Sequence, residues 1–243
     1  MRRKPAGGRD YRLTLLGGWR LETGAGEVRL PDRPRRLLAL LALRGAQTRS
    51  VVAETLWPDV VHSRALGSLR STLFHLVREA PGALGAAADR LSLADGVQVD
   101  VADLVRWART ASTGDLPTLP AIATESARLL PGWYDDWVLV EGERLHDLRL
   151  TALESTAEAL LHHGRHAEAL AAALAAAHAE PLRESSHRLV IRAHLTRADV
   201  AGAVEHFRRL EALLAVELGV RPSADLRHLV QPHLHPRMRR IAR

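Results

Sequence analysis

The sequence predicts a mainly α-helical chain with a small α+β part at its N-terminal end, and three observations lead there. Short runs of alternating apolar residues are confined to the first hundred positions, where they flank three helical stretches. From Glu143 onward the apolar spacing is helical almost without a break. Within that helical region the pattern repeats at a shift of 34 residues. In 243 residues, 47% apolar and 26% charged, there is enough apolar side chain for two ordinary cores.

Leu13 to Leu16 and Trp19 to Leu21 alternate loosely, and Glu27 to Leu30 alternates cleanly after Gly24-Ala25-Gly26, which predicts a β-hairpin. A buried helix should follow over Arg35 to Arg44, with leucine at 37, 38, 40, 41 and 43, Pro34 at its entrance and Gly45 beyond its end. A second helix is expected from Ser50 as N-cap to the stop at Pro58. The third, Arg64 to Glu79, places Ala65, Leu69, Leu73, Leu76 and Ala80 on one stripe. Its other side presents Arg64, Gly67, Ser68, Ser71, His75 and Arg78, with Arg70 alongside. Small residues permit close approach, hydroxyls and guanidiniums suit phosphates, and long donors suit guanine edges, so this face fits a nucleic-acid groove. Arg90 to Leu93 and Val97 to Val99 then flank Ala94-Asp95-Gly96 as a closing hairpin. Strand, strand, three helices and hairpin is the order of a winged helix-turn-helix, with the third helix as reader and the last hairpin as wing. A small α+β domain with a solvated polar helix face would show the same periodicity, so pattern alone leaves both readings open.

The domain boundary is expected near residue 100. Beyond it come an amphipathic segment, Ala102 to Ser112, and a proline-containing break, Leu116 to Pro120. Helices are expected at Glu143 to His162, Arg165 to Ala179, Leu182 to Thr196 and Asp199 to Glu217. The 34-residue shift pairs Arg149 with Arg183, Ala159 with Ala193, Leu161 with Leu195, Ala167 with Ala201 and Ala169 with Ala203, which is the tetratricopeptide period. Helical pairs of this kind stack and offer a groove to a partner. Trp107, Trp133 and Trp137 are expected in the core of this second domain.

Charge is unevenly placed. Residues 1–100 hold 16 Lys+Arg against 10 Asp+Glu, and residues 101–220 hold 12 against 17. Residues 221–243 hold six Arg against the single Asp225, so only the two ends are basic, which favours a polyanionic partner there. The absence of cysteine excludes disulfides, thiolate zinc sites and cysteine nucleophiles. The longest apolar run, Leu37 to Leu43, is far short of a membrane span, and Arg2-Arg3-Lys4 leads into no signal-peptide core, so a cytoplasmic protein is expected. No enzyme, cofactor or metal is expected. His162 and His166 stand at i, i+4 beside His163, but they straddle a helix corner with no completing carboxylates. Asp135 and Asp136 diverge and read as caps and surface. Ser50 and Ser63 lack a nucleophile elbow.

Several blocks together resemble the Streptomyces antibiotic regulatory proteins, which join an OmpR-type winged helix to a bacterial transcriptional activation domain. They are Leu15-Leu16-Gly17, the run Arg35 to Leu43, Ala53 to Asp59 and the helix around Leu69 in the first half. In the second half they are Glu143-Arg144-Leu145, Leu148-Arg149, Ala152-Leu153-Glu154, Gly164 to Glu168, Pro181-Leu182-Arg183-Glu184 and Glu217 to Pro222. The resemblance implies a winged helix over residues 1–100, an all-α activation domain over 101–232 and a basic tail over 233–243. It further implies an activator, often of biosynthetic clusters, that binds direct repeats of double-stranded DNA near promoters, self-associates there and recruits RNA polymerase. No Walker-type loop is present, so nucleotide-driven control within this chain is not expected.

The face reading and the resemblance give Arg64, Ser68, Arg70, Ser71, Thr72, His75 and Arg78 as reader-helix contacts, and Arg33, Arg35, Arg36 and Arg49 as phosphate contacts. Two departures stand out. Leu66-Gly67-Ser68 replaces an Arg-Asn-Thr-like run, with a mid-helix glycine costing about 1 kcal/mol relative to alanine. The expected wing tip, Ala94-Asp95-Gly96-Val97, is short and acidic rather than basic. Arg2, Arg3, Lys4 and Arg9, with Arg237, Arg239, Arg240 and Arg243, are expected to add sequence-independent phosphate attraction. The alternative reading is an interaction scaffold whose winged helix has lost DNA binding.

Overall fold

The computed structural model describes residues 10–87, 89–112, 118–124 and 128–234. Arg2, Arg3, Lys4, Arg9, Arg237, Arg239, Arg240 and Arg243, expected to attract phosphates, therefore lie outside the described residues. The described residues divide into two compact units, one drawn from Met1–Val105 and Ala127–Leu145, the other from Arg106–Ser126 and His146–Arg243.

The first unit begins with β1 (Tyr11–Thr14), β2 (Arg20–Thr23) and β3 (Gly26–Glu27). Tyr11 and Leu13 point inward and Arg12 outward, the period-two alternation of a half-buried strand. β1 pairs antiparallel with β2, Leu13 opposite Leu21, and β2 pairs with β3. Helix α1 (Asp32–Arg44) buries Leu37, Leu38, Leu40 and Leu41. Pro34 is tolerated in its first turn, where no backbone donor is needed, and Gly45 ends it at φ 70°, a conformation that favours glycine. A two-residue strand β4 (Gln47–Thr48) leads into α2 (Arg49–Leu56). The hydroxyl of Thr48, not Ser50, caps α2 by accepting from the Val51 amide at 3.4 Å, so the cap lies two residues earlier than the sequence predicts. Helix α3 (His62–Glu79) follows Trp57–Val61, with His62 Nδ1 3.1 Å from the Glu54 carboxylate of α2.

After α3 the expected hairpin is replaced by a different pairing. β5 (Leu84–Ala87) and β6 (Arg90–Leu93) form the hairpin, and β6 also pairs with β4. The turn Ala94–Gly96 leads out of this sheet, and β7 (Val97–Val99) runs parallel to β1 with Val99 opposite Leu13. The four-stranded sheet is thus ordered β3-β2-β1-β7 and the three-stranded sheet β4-β6-β5. Gly85 permits the hairpin to close, since a Cβ there would stand 2.9 Å from the Ser92 hydroxyl oxygen.

Helix α4 (Asp100–Ser112) starts on a carboxylate that accepts from the Leu15 and Leu16 amides at 2.9 Å each and from Val101 at 2.7 Å. The first unit also takes back a later segment, which differs from a single cut at residue 100. The Leu130 amide donates to Leu15 O, the Gly17 amide donates to Arg128 O, and Arg44 Nε donates to Glu141 at 3.2 Å. Trp133 and Trp137 belong to this unit and not to the second, where Trp107 is buried.

The second unit contains the short α5 (Ala121–Thr124), the later part of α6 (Asp136–His162), then α7 (His166–Ala179), α8 (Glu184–Thr196), α9 (Val200–Glu217) and α10 (Ala224–Leu234). α10 has no counterpart among the helices expected from the sequence. One core cluster joins Ala157, Leu160 and Leu161 of α6 to Ala169, Ala172, Ala173 and Ala177 of α7 and to Leu189, Val190 and Ala193 of α8. A second joins Ile191 to Ala203, Phe207, Leu210 and Leu214 of α9 and to Leu226 and Val230 of α10. The alanine-rich α7 lets its neighbours approach closely, and the 34-residue shift equates Ala169 with Ala203 and Ala173 with Phe207, all buried. Among the described residues no helix is long and apolar enough to cross a membrane.

Candidate nucleic-acid interface

Helix α3 buries Ala65, Leu69, Thr72 and Leu76, a stripe at i, i+4, i+7 and i+11. Leu73, expected in the stripe, is only half-buried, and Thr72 takes the core position. This moves Thr72 out of the predicted contact set. Its side chain is 2% exposed and its Oγ1 donates to Ser68 O at 2.8 Å, the bond that satisfies a buried hydroxyl in a helix.

The same rotation decides what faces out. Ser63, Arg64, Gly67, Arg70, Ser71, Phe74, His75, Val77 and Arg78 are exposed, and Ser68 is half-buried. Arg70, Phe74 and Arg78 follow one another four residues apart, about 6 Å along the axis, on a single ridge. Gly67 and Ser71 lie beside them and keep part of the ridge shallow. The only carboxylate on α3 is Glu79, 3.9 Å from Arg78. Sequence reasoning missed Phe74 and Val77, which are 68% and 61% exposed. The stripe through Leu73 turns Phe74 towards the flank; the stripe through Thr72 turns it outward.

The four arginines predicted to touch phosphates divide. Arg33 is exposed on the first turn of α1, and Arg49 is half-buried at the start of α2. Arg35 lies over the Trp19 ring, 5.1 Å from its centroid, and 3.9 Å from Asp32. Arg36 pairs with Asp135, and burial lowers its guanidinium pKa while Asp32 opposes that. Arg35 and Arg36 are thus engaged within the first unit, so they brace α1 instead of standing free. The first turns of α2 and α3 carry no acidic residue.

In the hairpin β5–β6 Asp89 is exposed, and the Arg90 guanidinium donates to Ala46 O at 2.7 Å. The Arg49 amide donates to Asp89 O at 3.1 Å, which ties the hairpin's turn to the start of α2. The segment Ala94-Asp95-Gly96 is therefore a link between sheets, not a wing tip. No group of three or more His, Asp or Glu able to hold a metal occurs among the described residues. His163 Nδ1 lies 2.8 Å from Ala159 O.

A family described as bacterial transcriptional activator domain matches residues 85–232. The chain belongs to the bacterial transcriptional activator domain family. Regulatory proteins of Streptomyces are among the relatives of this family member, in keeping with the antibiotic regulatory protein resemblance. The chain is 29% identical over 231 residues to the regulatory protein DnrI of Streptomyces peucetius, covering 85% of each. It is 33% identical over 213 residues to the regulatory protein AfsR of Streptomyces coelicolor, covering 81% of this chain and 21% of that one. The chain thus spans about a fifth of the length of AfsR and most of DnrI. Among solved structures, EmbR of Mycobacterium tuberculosis in complex with a low affinity phosphopeptide superposes with a TM-score of 0.66 at 22% identity. That match covers 93% of this chain and 65% of EmbR, and it bears out the mainly helical fold with small N-terminal sheets.

Proposed function

We propose that the chain is a sequence-specific DNA-binding transcriptional activator whose helix α3 enters the major groove. The observation that carries this reading is the outward face of α3. Arg64, Arg70 and Arg78 are exposed there among Gly67, Ser68, Ser71 and His75, with one carboxylate at the helix end. Guanidiniums can pair with guanine edges or phosphates, and small residues between them let the backbone come close. Arg33 and Arg49 supply phosphate contacts from α1 and α2, and the acid-free first turns of α2 and α3 suit an anionic backbone. Thr72, Arg35 and Arg36 carry no contact in this scheme, because their side chains are committed inside the first unit.

The second unit serves as the activation module. Its stacked helices present surfaces to RNA polymerase, and neighbouring copies bind side by side on direct repeats near promoters in the cytoplasm. The regulatory relatives support this assignment. The test is genome-wide capture of DNA bound by the tagged protein, followed by a gel-shift on the strongest site with scrambled competitor. Discrete sites built of direct repeats upstream of promoters are the expected outcome. A folded protein that enriches no site would overturn the reading in favour of the interaction scaffold.

A further inference from the structure

The ridge Arg70–Phe74–Arg78 combines two chemistries that seldom share an exposed helix face. Phe74 is 68% exposed, and its ring meets His75 edge-on with centroids 5.9 Å apart. Val77, one turn further on, is 61% exposed. An aromatic ring held in water gains only when a partner covers it. Guanidiniums stand one turn before and one turn after it, and Ser71 lies beside it. A hydrophobic protein surface would have to strip water from those guanidiniums without compensation, whereas a DNA groove offers phosphates and base acceptors to them. The apolar group a major groove displays is the thymine C5-methyl. Charge complementarity therefore selects DNA as the occupant, and the apolar centre of the ridge selects thymine within it.

We infer that Phe74, supported by Val77, is a specificity-determining residue that packs on the C5-methyl of thymine between base or phosphate contacts made by Arg70 and Arg78. The inference rests on the DNA-binding reading above and adds a base preference that the arginines alone would not produce. Because Phe74 is exposed and outside the core stripe, its replacement leaves the fold intact.

The experiment uses the full chain and duplexes of the captured site in which each thymine in turn is replaced by uracil, which deletes only the methyl. Binding is read by fluorescence anisotropy for the wild type and for Phe74→Ala. At one or two positions uracil should weaken the wild type about fourfold, the effect of removing one buried methyl, and should leave Phe74→Ala unchanged. Uracil penalties that persist unaltered in Phe74→Ala would overturn the inference, as would tight wild-type binding with no penalty at any position. Loss of self-association in Phe74→Ala, with every uracil penalty retained, would overturn it in favour of a protein contact. Absence of wild-type binding to the unmodified duplex would overturn the DNA-binding reading itself, and this inference with it.

Discussion

Gly67 separates the two demands placed on α3. A Cβ added there meets nothing within 4 Å, and its φ is not left-handed, so the fold has no use for the glycine. Gly67→Ala should raise stability by about 1 kcal/mol, read as a higher midpoint in denaturant unfolding. It should also weaken operator binding, because the added methyl stands on the face meant to approach the groove. A variant that is stabilised and binds as well as wild type would remove close approach from the account. Glu154 illustrates the opposite case, a residue the fold requires. Its carboxylate accepts from Arg183 Nε at 3.1 Å and Nη2 at 2.9 Å, from Ser185 at 2.6 Å and from Ser186 at 2.7 Å. Burial works to raise its pKa, but the hydrogen bonds and the Arg183 charge outweigh that and hold it below the ordinary glutamate value. Its stabilisation is therefore complete above the unfolded pKa and is lost as pH falls through the lower folded one. Glu154→Gln should cost about 2 kcal/mol in urea unfolding at neutral pH, with a smaller cost at pH 3.

At the scale of elements, the sequence blocks that carry the family resemblance turn out to be mutual partners. Ala152-Leu153-Glu154 meets Pro181-Leu182-Arg183-Glu184 through the Glu154–Arg183 pair, and Glu184 accepts from the Ser223 amide at 2.9 and 3.0 Å, just past Pro222. Glu158 and Arg192, one repeat apart, pair at 3.2 Å. Helices α8 and α9 also share a histidine contact, His187 Nδ1 to His206 Nε2 at 2.8 Å, with His187 Nε2 on Pro181 O at 2.8 Å. Burial, then the neighbouring His187, His194, Arg209 and His178, lower His206 to about 4. The unfolded chain takes up that proton near the ordinary histidine pKa, so between about pH 6.5 and 4 it binds more protons than the folded one. Stability of the second unit should fall as pH drops through this window, by roughly 1–2 kcal/mol after allowance for solvent screening. His206→Gln should flatten the curve of unfolding midpoint against pH from 7 to 4.5. An unchanged slope would contradict a neutral, half-buried His206.

Across the whole molecule, what could be read in the sequence followed the range of the interactions involved. Helices α1, α3, α7, α8 and α9 are legible because their apolar spacing is local, and the 34-residue repeat is legible because stacking buries apolar residues at equivalent positions of each helical pair. The true hairpin is not legible, because Arg90 to Leu93 and Val97 to Val99 alternate equally well, and only pairing with Leu84–Ala87 and Tyr11–Thr14 separates them into two sheets. The return of Arg128–Leu145 to the first unit was illegible for the same reason: Leu130 on Leu15 and Glu141 on Arg44 are contacts across about a hundred residues. The site was half legible. Arg64, Arg70, Ser71, His75 and Arg78 emerge on the exposed face, while Thr72 turned inward and Phe74 outward once the stripe ran through 72 and not 73. Arg35 and Arg36 could not be told from free cations, because Trp19 and Asp135 reach them only in the folded chain.

DNA binding, as proposed above, depends on the arginines of the outward face of α3. The most direct measurement is the salt dependence of binding to the captured site, for the wild type and for the Arg70→Ala, Arg78→Ala double variant, with folding checked by circular dichroism. For about six phosphate contacts the wild type should lose affinity by a factor of ~10³ between 50 and 200 mM salt. The double variant should bind far more weakly and, where the lost contacts are to phosphate, with a shallower slope. A folded double variant that binds as tightly as the wild type, with the same slope, would show that these arginines do not hold DNA.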